Sequence, residues 1–189
     1  MSEFQAKDIG LRAQKKLASK LSNMTVAKMV VDEPTSQLLD NLCKLCKEVS
    51  GDKKVSEKVT KNLIKVMVKV GILNKNNQFN QDERVLAAQF QRKFQMTAMT
   101  IVSFYEIDFT YDQSFITQSL ADMKSILLKL VERHLTDKTV TRIDSVFGFF
   151  GNPQFLDDVF SGDSIHRALL GTITKDLNAL LETFEDDAG

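Results

Sequence analysis

Chemistry in this sequence could be done at three places: a pair of cysteines three apart, a serine two before a histidine, and a run of acids. Cys43 and Cys46 form a CxxC. On a helix that spacing puts both sulfurs on one face, and zinc needs about four ligands, while His134 and His166 lie far off in sequence. A redox CxxC sits at a strand-to-helix junction near a βαβ unit, and no such unit is visible. The two cysteines are read as reduced, half-buried packing residues. Ser164 and His166 are read as lying at a helix start at Asp163 or Ser164, not as two members of a triad. Glu106, Asp108 and Asp112 lack the glycine of a calcium loop and are read as turn and cap residues. There is no P-loop, GxGxxG, HExxH or nucleophile elbow. The expectation is a protein that is not an enzyme and holds no metal.

The cations say more. Arg12, Lys15, Lys16 and Lys20 follow one another with no acid between them, and Lys54, Lys58, Lys61, Lys65 and Lys69 recur every three or four residues further on. The net charge is zero, yet residues 1–80 hold 15 Lys/Arg against 8 Asp/Glu and residues 81–189 hold 10 against 17. A basic first half asks for an acidic partner. Nucleic acid is one class, but Trp is absent and the aromatic residues are placed as core, so no nucleic acid is expected. Anionic lipid is the other. Each cation near such a surface contributes about 1 kcal/mol, so four or five give roughly 4–5 kcal/mol, equivalent to about millimolar affinity. Head-group contacts or uptake of an acyl chain would have to supply the rest. A solvated helix face is the plain alternative for lysines at this spacing.

The elements that position these groups all read as helices. Residues 7–21 form a short amphipathic helix with Ile9, Ala13, Leu17 and Leu21 as its apolar line. A second helix spans 35–49, with Thr or Ser capping it after Pro34 and Gly51 ending it. A third starts at Asp52 or Lys53 and runs to about Leu73. The fourth opens Asn80-Gln81-Asp82-Glu83, a capping pattern. It carries Val85, Leu86, Phe90, Phe94, Met96, Met99, Ile101, Val102 and Phe104, and residues 94–105 contain no charge. That predicts a helix lying deep in a bundle with neighbours on several sides. Residues 113–135 make a fifth helix; Thr136 restarts a sixth segment, a short helical turn follows near Phe155, and a last helix ends near Phe184. Alternating strand patterns and solenoid repeats are missing. The fold expected is all-α, an antiparallel bundle of about six helices. It divides into an N-terminal basic helix (1–24) and one bundle domain (25–189). Without a secretory h-region, or an uncharged run longer than about a dozen residues, a cytoplasmic protein is expected.

Several blocks resemble one family. Gln14-Lys15-Lys16, Asn62-Leu63-Ile64-Lys65-Val66, Asn76-Asn77-Gln78-Phe79-Asn80-Gln81-Asp82-Glu83, Met99-Thr100-Ile101-Val102-Ser103-Phe104, Asp108-Phe109-Thr110-Tyr111 and Arg133-His134-Leu135-Thr136 are similar to the tumour necrosis factor-α-induced protein 8 (TIPE) family. The resemblance covers nearly the whole chain and is weakest after Gly151. It implies six antiparallel helices, a short extra N-terminal helix and a large apolar cavity open at one end. It further implies phosphoinositide binding and transfer in lipid signalling, apoptosis control and immune homeostasis, with acyl chains in the cavity and the head group on basic residues at its mouth. Lys15, Lys16, Lys20 and Lys75 match head-group or membrane positions, with Arg12 alongside. A family arginine is replaced by Gln91, next to Arg92 and Lys93. The implied cavity would be lined by Ile64, Met67, Val70, Phe90, Phe94, Ala98, Ile101, Val102, Phe115, Leu120, Met123 and Leu127, and would hold a phospholipid or fatty acid. Implied partners are phosphoinositides, the inner face of the plasma membrane and Rac-type small GTPases or apoptotic signalling proteins, met by a monomer. From the residues alone, a solid core and an adaptor acting through protein contacts stay open.

Overall fold

The computed structural model describes residues 3–19, 30–107, 110–134 and 136–186, and among these the chain is all-α with no strand. The helices are α1 (Ala6–Ala18), α2 (Glu33–Ser50), α3 (Lys53–Lys75), α4 (Gln81–Glu106), α5 (Gln113–Leu130), α6 (Asp137–Phe150), α7 (Pro153–Phe160) and α8 (Arg167–Asp186). Local chemistry sets most of the boundaries. Asp52, Asp112, Thr136 and Asn152 each accept a backbone N–H of the first turn they precede. The Asn80–Glu83 capping box is complete. Gly51 closes α2 at φ 67, a conformation that favours glycine.

Three boundaries differ from expectation. The cap of α2 is Asp32, which accepts from Thr35 N at 3.0 Å, because Pro34 fits inside the first turn where no N–H is needed. Helix α5 stops at Leu130, and a 3-10 turn, Glu132–His134, replaces its predicted last turn. Helix α8 begins at Arg167, since Ser164 Oγ donates to the Asp158 carbonyl at 2.6 Å and holds residues 161–166 as a turn.

Six helices close a ring: α2 packs on α8, α8 on α4, α4 on α5, α5 on α6, α6 on α3, and α3 on α2. Every neighbouring pair runs antiparallel. Lys93 meets Asp122 across α4 and α5, while Phe104 meets Tyr111 just ahead of α5. Asn62 meets Ser145 while Lys69 meets Thr139 across α3 and α6. Asn41 meets Asp176 while Glu48 meets His166 across α2 and α8. Helix α7 touches α2, α5, α6 and α8 and so crosses one end of the ring, and α1 lies outside against α3 and α2.

Helix α4 is therefore a wall and not a buried centre. One flank (Lys93, Thr97, Phe104) meets α5 and another (Ala98, Val102, Tyr105) meets α8. Met96 and Met99 are 60% and 62% exposed on its outer face, with Val85 and Arg92 in line. The uncharged run from 94 to 105 thus comprises two packed flanks and an apolar outer stripe.

The end away from α7 is tied by Glu83. Its carboxylate is 5% exposed, accepts from Arg133 Nε at 2.7 Å and Nη2 at 2.5 Å, and accepts Asn80 N at 2.8 Å. These bonds to the charged form hold its pKa down at about 2. A carboxylate depressed on folding adds stability above its ordinary pKa near 4.5, and that stability is lost as pH falls toward about 2. Thermal melts across this window should show wild type losing stability more steeply than Glu83→Gln, which starts lower at neutral pH. Parallel curves would contradict the assignment.

Candidate functional site

Two features of the ring could bind something: the basic helix on its side and the apolar line facing its centre. Helix α1 is docked by named contacts. Its first N–H, from Ala6, donates to Asp40 Oδ1 at 2.8 Å, and burial pushes that carboxyl above its ordinary range. Lys7 pairs with Glu33 at 2.6 Å. Gln14, buried beneath the helix, accepts Val30 N at 3.0 Å. Gly10 lets Val31 come so close that a Cβ would stand 2.9 Å from it, and Gly71 of α3 makes the same room for Val30. Arg12, Lys15 and Lys16 are left exposed on the outside. Lys20 lies outside the described residues.

The second feature is a difference in exposure around each helix. On α2, Asn41 and Leu45 on the α8 flank and Leu39 and Cys43 on the α3 flank are buried, whereas Leu38, Leu42 and Val49, which lie between the flanks, are only partly buried. Helix α4 repeats the pattern: Thr97, Ala98, Val102 and Phe104 are buried, and Phe90, Phe94 and Ile101 between them are not fully covered. On α3, Leu63 and Val70 stand in the same relation to buried Val59, Thr60 and Val66. In each case the less covered apolar residues point to the centre of the ring.

The residues expected to line a cavity divide accordingly. Val70, Phe90, Phe94, Ile101 and Leu120 lie on half-buried inner faces, with Met67 at the edge of that of α3, whereas Met123 and Leu127, on the inward line of α5 between Asp122 on the α4 flank and Lys124 on the α6 flank, are buried. Ile64 does not line the centre, because it is fully buried under α1 with Ala6, Val31 and Ile72. Ala98 and Val102 are packed into the α4–α8 wall. Phe115 is 41% exposed on the α4 side of α5, level with Thr100, and faces outward. The sequence reading did not assign Leu38, Leu42, Val49 and Leu63 to this line; their three- and four-residue steps marked them only as core.

The basic residues are likewise not one site. Lys75 ends α3 and is exposed. Lys93 pairs with Asp122 at 2.8 Å, a contact between α4 and α5. Arg92 points outward from α4, which stands across the ring from α3 and α1.

The other candidate groups serve the fold. Burial pushes the Cys46 thiol up to about 12 and raises Cys43 as well, so both are fully buried packing groups and not half-buried ones. His166 Nδ1 contacts Glu48 at 3.2 Å, tying α8 to α2. Among the described residues, no group of three His, Cys, Asp or Glu could hold a metal, and no helix is long and apolar enough to cross a membrane. A surface pocket of about 330 Å³ beside α7 is lined mostly by Phe149, Phe155, Val49 and small polar residues, with Asp158 its one charged group.

These features define an all-helical ring protein carrying a basic amphipathic helix docked on its side. The chain belongs to the tumour necrosis factor alpha-induced protein 8-like family, whose sequence profile matches residues 4–184. It is 46% identical over 180 residues to the tumor necrosis factor alpha-induced protein 8-like protein of Drosophila pseudoobscura pseudoobscura, covering 95% of this chain and 96% of that one. Protein salivary glands marred of Drosophila melanogaster is as similar, 46% over 180 residues with the same coverage. Tumor necrosis factor, alpha-induced protein 8-like protein 2 B of Danio rerio is 40% identical over 182 residues, 96% of this chain and 98% of that one.

The fit of α1 gives a direct expectation. Gly10→Leu should lift α1 from α3 at a cost of about 1–3 kcal/mol, the usual effect of overpacking a close contact. Amide exchange should quicken in residues 6–18 while that of α4 and α5 stays slow. Unchanged exchange in α1 would show that the Gly10–Val31 contact does not hold it.

Proposed function

We propose that the ring encloses an apolar lumen that takes the acyl chains of a phosphoinositide or related anionic phospholipid, and that the basic face of α1 brings the protein to the membrane that supplies it. The observation that carries this reading is the partial exposure of Leu38, Leu42, Val70, Phe94 and Ile101 on inward lines whose flanks are buried. A solvent-sized space at the ring's centre would leave its inward side chains partly uncovered in this way. Geometry agrees. Helices packed about 8–10 Å apart in a six-membered ring leave a centre about as far from every axis, while their side chains reach only about 5–6 Å. The gap is narrow, apolar and suited to an alkyl chain. Its covered end is the one crossed by α7, so a chain enters from the opposite end, where α3 terminates in Lys75.

Membership of the family adds to the reading, because the relatives' names tie them to a response to tumor necrosis factor and not to a reaction. On this proposal the protein is a non-enzymatic lipid carrier or sensor acting at a membrane surface, with a place in the control of apoptosis and immunity. A second reading, an adaptor working through protein contacts, is favoured by one observation: the exposed stripe of Val85, Met96 and Met99 on α4.

Native mass spectrometry with lipid extraction tests the lumen. Wild type is expected to retain a phospholipid or fatty acid or to take up added phosphoinositide, and Leu42→Trp with Ile101→Trp to lose it while keeping its helicity. An apoprotein that takes up nothing would sink the carrier and leave the adaptor. Vesicle sedimentation tests α1. Neutralising Lys15, Lys16 and Lys20 together should remove about 3 kcal/mol, roughly a hundredfold in binding to anionic vesicles. Unchanged binding would rule α1 out as the membrane contact.

A further inference from the structure

The cations of α3 and α6 are not used by that reading, and they lie beside the α1 face that is. Lys7 ties one flank of α1 to α2 through Glu33, so the other flank, bearing Arg12 and Lys16, faces the α6 side. Between α1 and α6 the outer surface of α3 forms the floor of a groove, with Lys58, Lys65 and Lys69 along it. Two contacts fix the register of the far wall. Asn62 Nδ2 donates to Ser145 Oγ at 3.2 Å, and Lys69 Nζ donates to Thr139 Oγ1 at 3.0 Å. The rung between these two sets Lys65 opposite Arg142.

A cation thus faces a cation at the centre of a helix interface. No carboxylate among the described residues pairs with either one. Glu57 is shared by Lys61 at 2.9 Å and Lys53 at 3.7 Å, and Asp144 turns to Lys124 of α5 at 2.7 Å. Burial and then Arg142, Lys61 and Lys16 all disfavour the charge on Lys65, and burial and Arg142 do the same for Lys69. Like charges drawn together without a counter-ion destabilise the free protein, and an anion placed among them reverses the sign. Lys69, with two bonds to the protein including one to the His134 carbonyl, still has a third N–H to give.

We infer that the groove between α1 and α6 is a binding site for a multiply phosphorylated anion, its phosphates bridging Lys65 and Arg142 with Lys16 at the rim. Arg142 offers the planar fork that suits phosphate oxygens, and the lysines add point charges. The site is on the side of the ring and does not depend on the lumen holding lipid. The same phosphates could arrive on a soluble inositol phosphate or on a lipid head group.

Calorimetry with inositol hexakisphosphate at physiological salt tests the site on the 189-residue chain. Wild type should bind, and Arg142→Glu should weaken binding by roughly tenfold or more. Without the anion, Arg142→Glu should melt higher than wild type, because the middle rung becomes an ion pair. Arg142→Gln should lie between on both counts and covers the case in which the reversal disturbs α6. Lys175→Glu, the same charge change on the outer face of α8 across the ring, should bind like wild type. Absent binding, or equal loss in Lys175→Glu, overturns the proposal, because net charge and not the groove would then account for the effect. Vesicles of phosphatidylcholine with and without phosphatidylinositol bisphosphate identify the source. A parallel loss in Arg142→Glu assigns the groove to a head group, and unaltered vesicle binding assigns it to a soluble anion. Retained lipid in the mass spectrum with no hexakisphosphate binding would discard the groove and leave the carrier standing.

Discussion

Each helix of the ring has to fit two neighbours at once, and that requirement governs where every class of side chain goes. The flanks carry residues small enough to let backbones approach. Ser56 and Thr60 on α3, Thr97 and Ala98 on α4, Ser119 on α5, Thr139 on α6 and Gly171 and Thr174 on α8 are all buried. A hydroxyl in such a place needs a partner. Thr60, Thr97 and Thr174 find one in their own helix, donating to the carbonyls of Ser56, Lys93 and Gly171. The larger buried apolar residues gather in five clusters, four of them joined through partly buried Leu63, Ile101, Phe155 and Phe160.

The same economy of size explains why α1 can sit on the outside and still be held. Gly10 and Gly71 remove the two side chains that would keep the segment at Val30 and Val31 from passing between α1 and α3. Once that segment is in place, Gln14 and Asp40 supply polar contacts that orient the helix without burying any of its cations. The docking face is apolar and local; the charged face is left to the solvent and to whatever approaches from it.

Helix boundaries were largely legible in the sequence, because caps act within a single turn: Asp52, Asn80 with Glu83, Asp112, Thr136 and Gly51 all perform the roles their types suggest. Misreadings arose where a boundary depends on something distant or on a competing bond, as with Asp32 before Pro34 and the Ser164 turn. The larger misreading concerned α4. An uncharged helix looks buried when apolar positions are merely counted, and nothing local distinguishes Met96, which faces out, from Phe94, which faces in. That distinction is set by the two neighbours, and their identity is a long-range fact. For the same reason Lys93, Ile64 and Phe115 looked like site residues, although one is paired, one lies under α1 and one faces outward.

Zero net charge is a poor guide to how this protein meets its surroundings. The ion pairs made by Lys7, Lys53 and Lys61 stay within the first half of the chain, and those made by Lys93, Lys124 and Arg133 stay within the second. None of these pairs joins a cation of the first half to an acid of the second. Because α3 stands across the ring from α4 and carries α1 on its outer side, Arg12, Lys15, Lys16, Lys65 and Lys69 share one side of the molecule with Arg142. Such a charge separation orients the protein before contact, within a Debye length of about 8 Å at physiological salt, and then acts through individual cations at the surface. An anionic membrane or a phosphorylated solute would meet the α1–α3–α6 side first. Lys75, at the end of the ring away from α7, lies at the edge of that side.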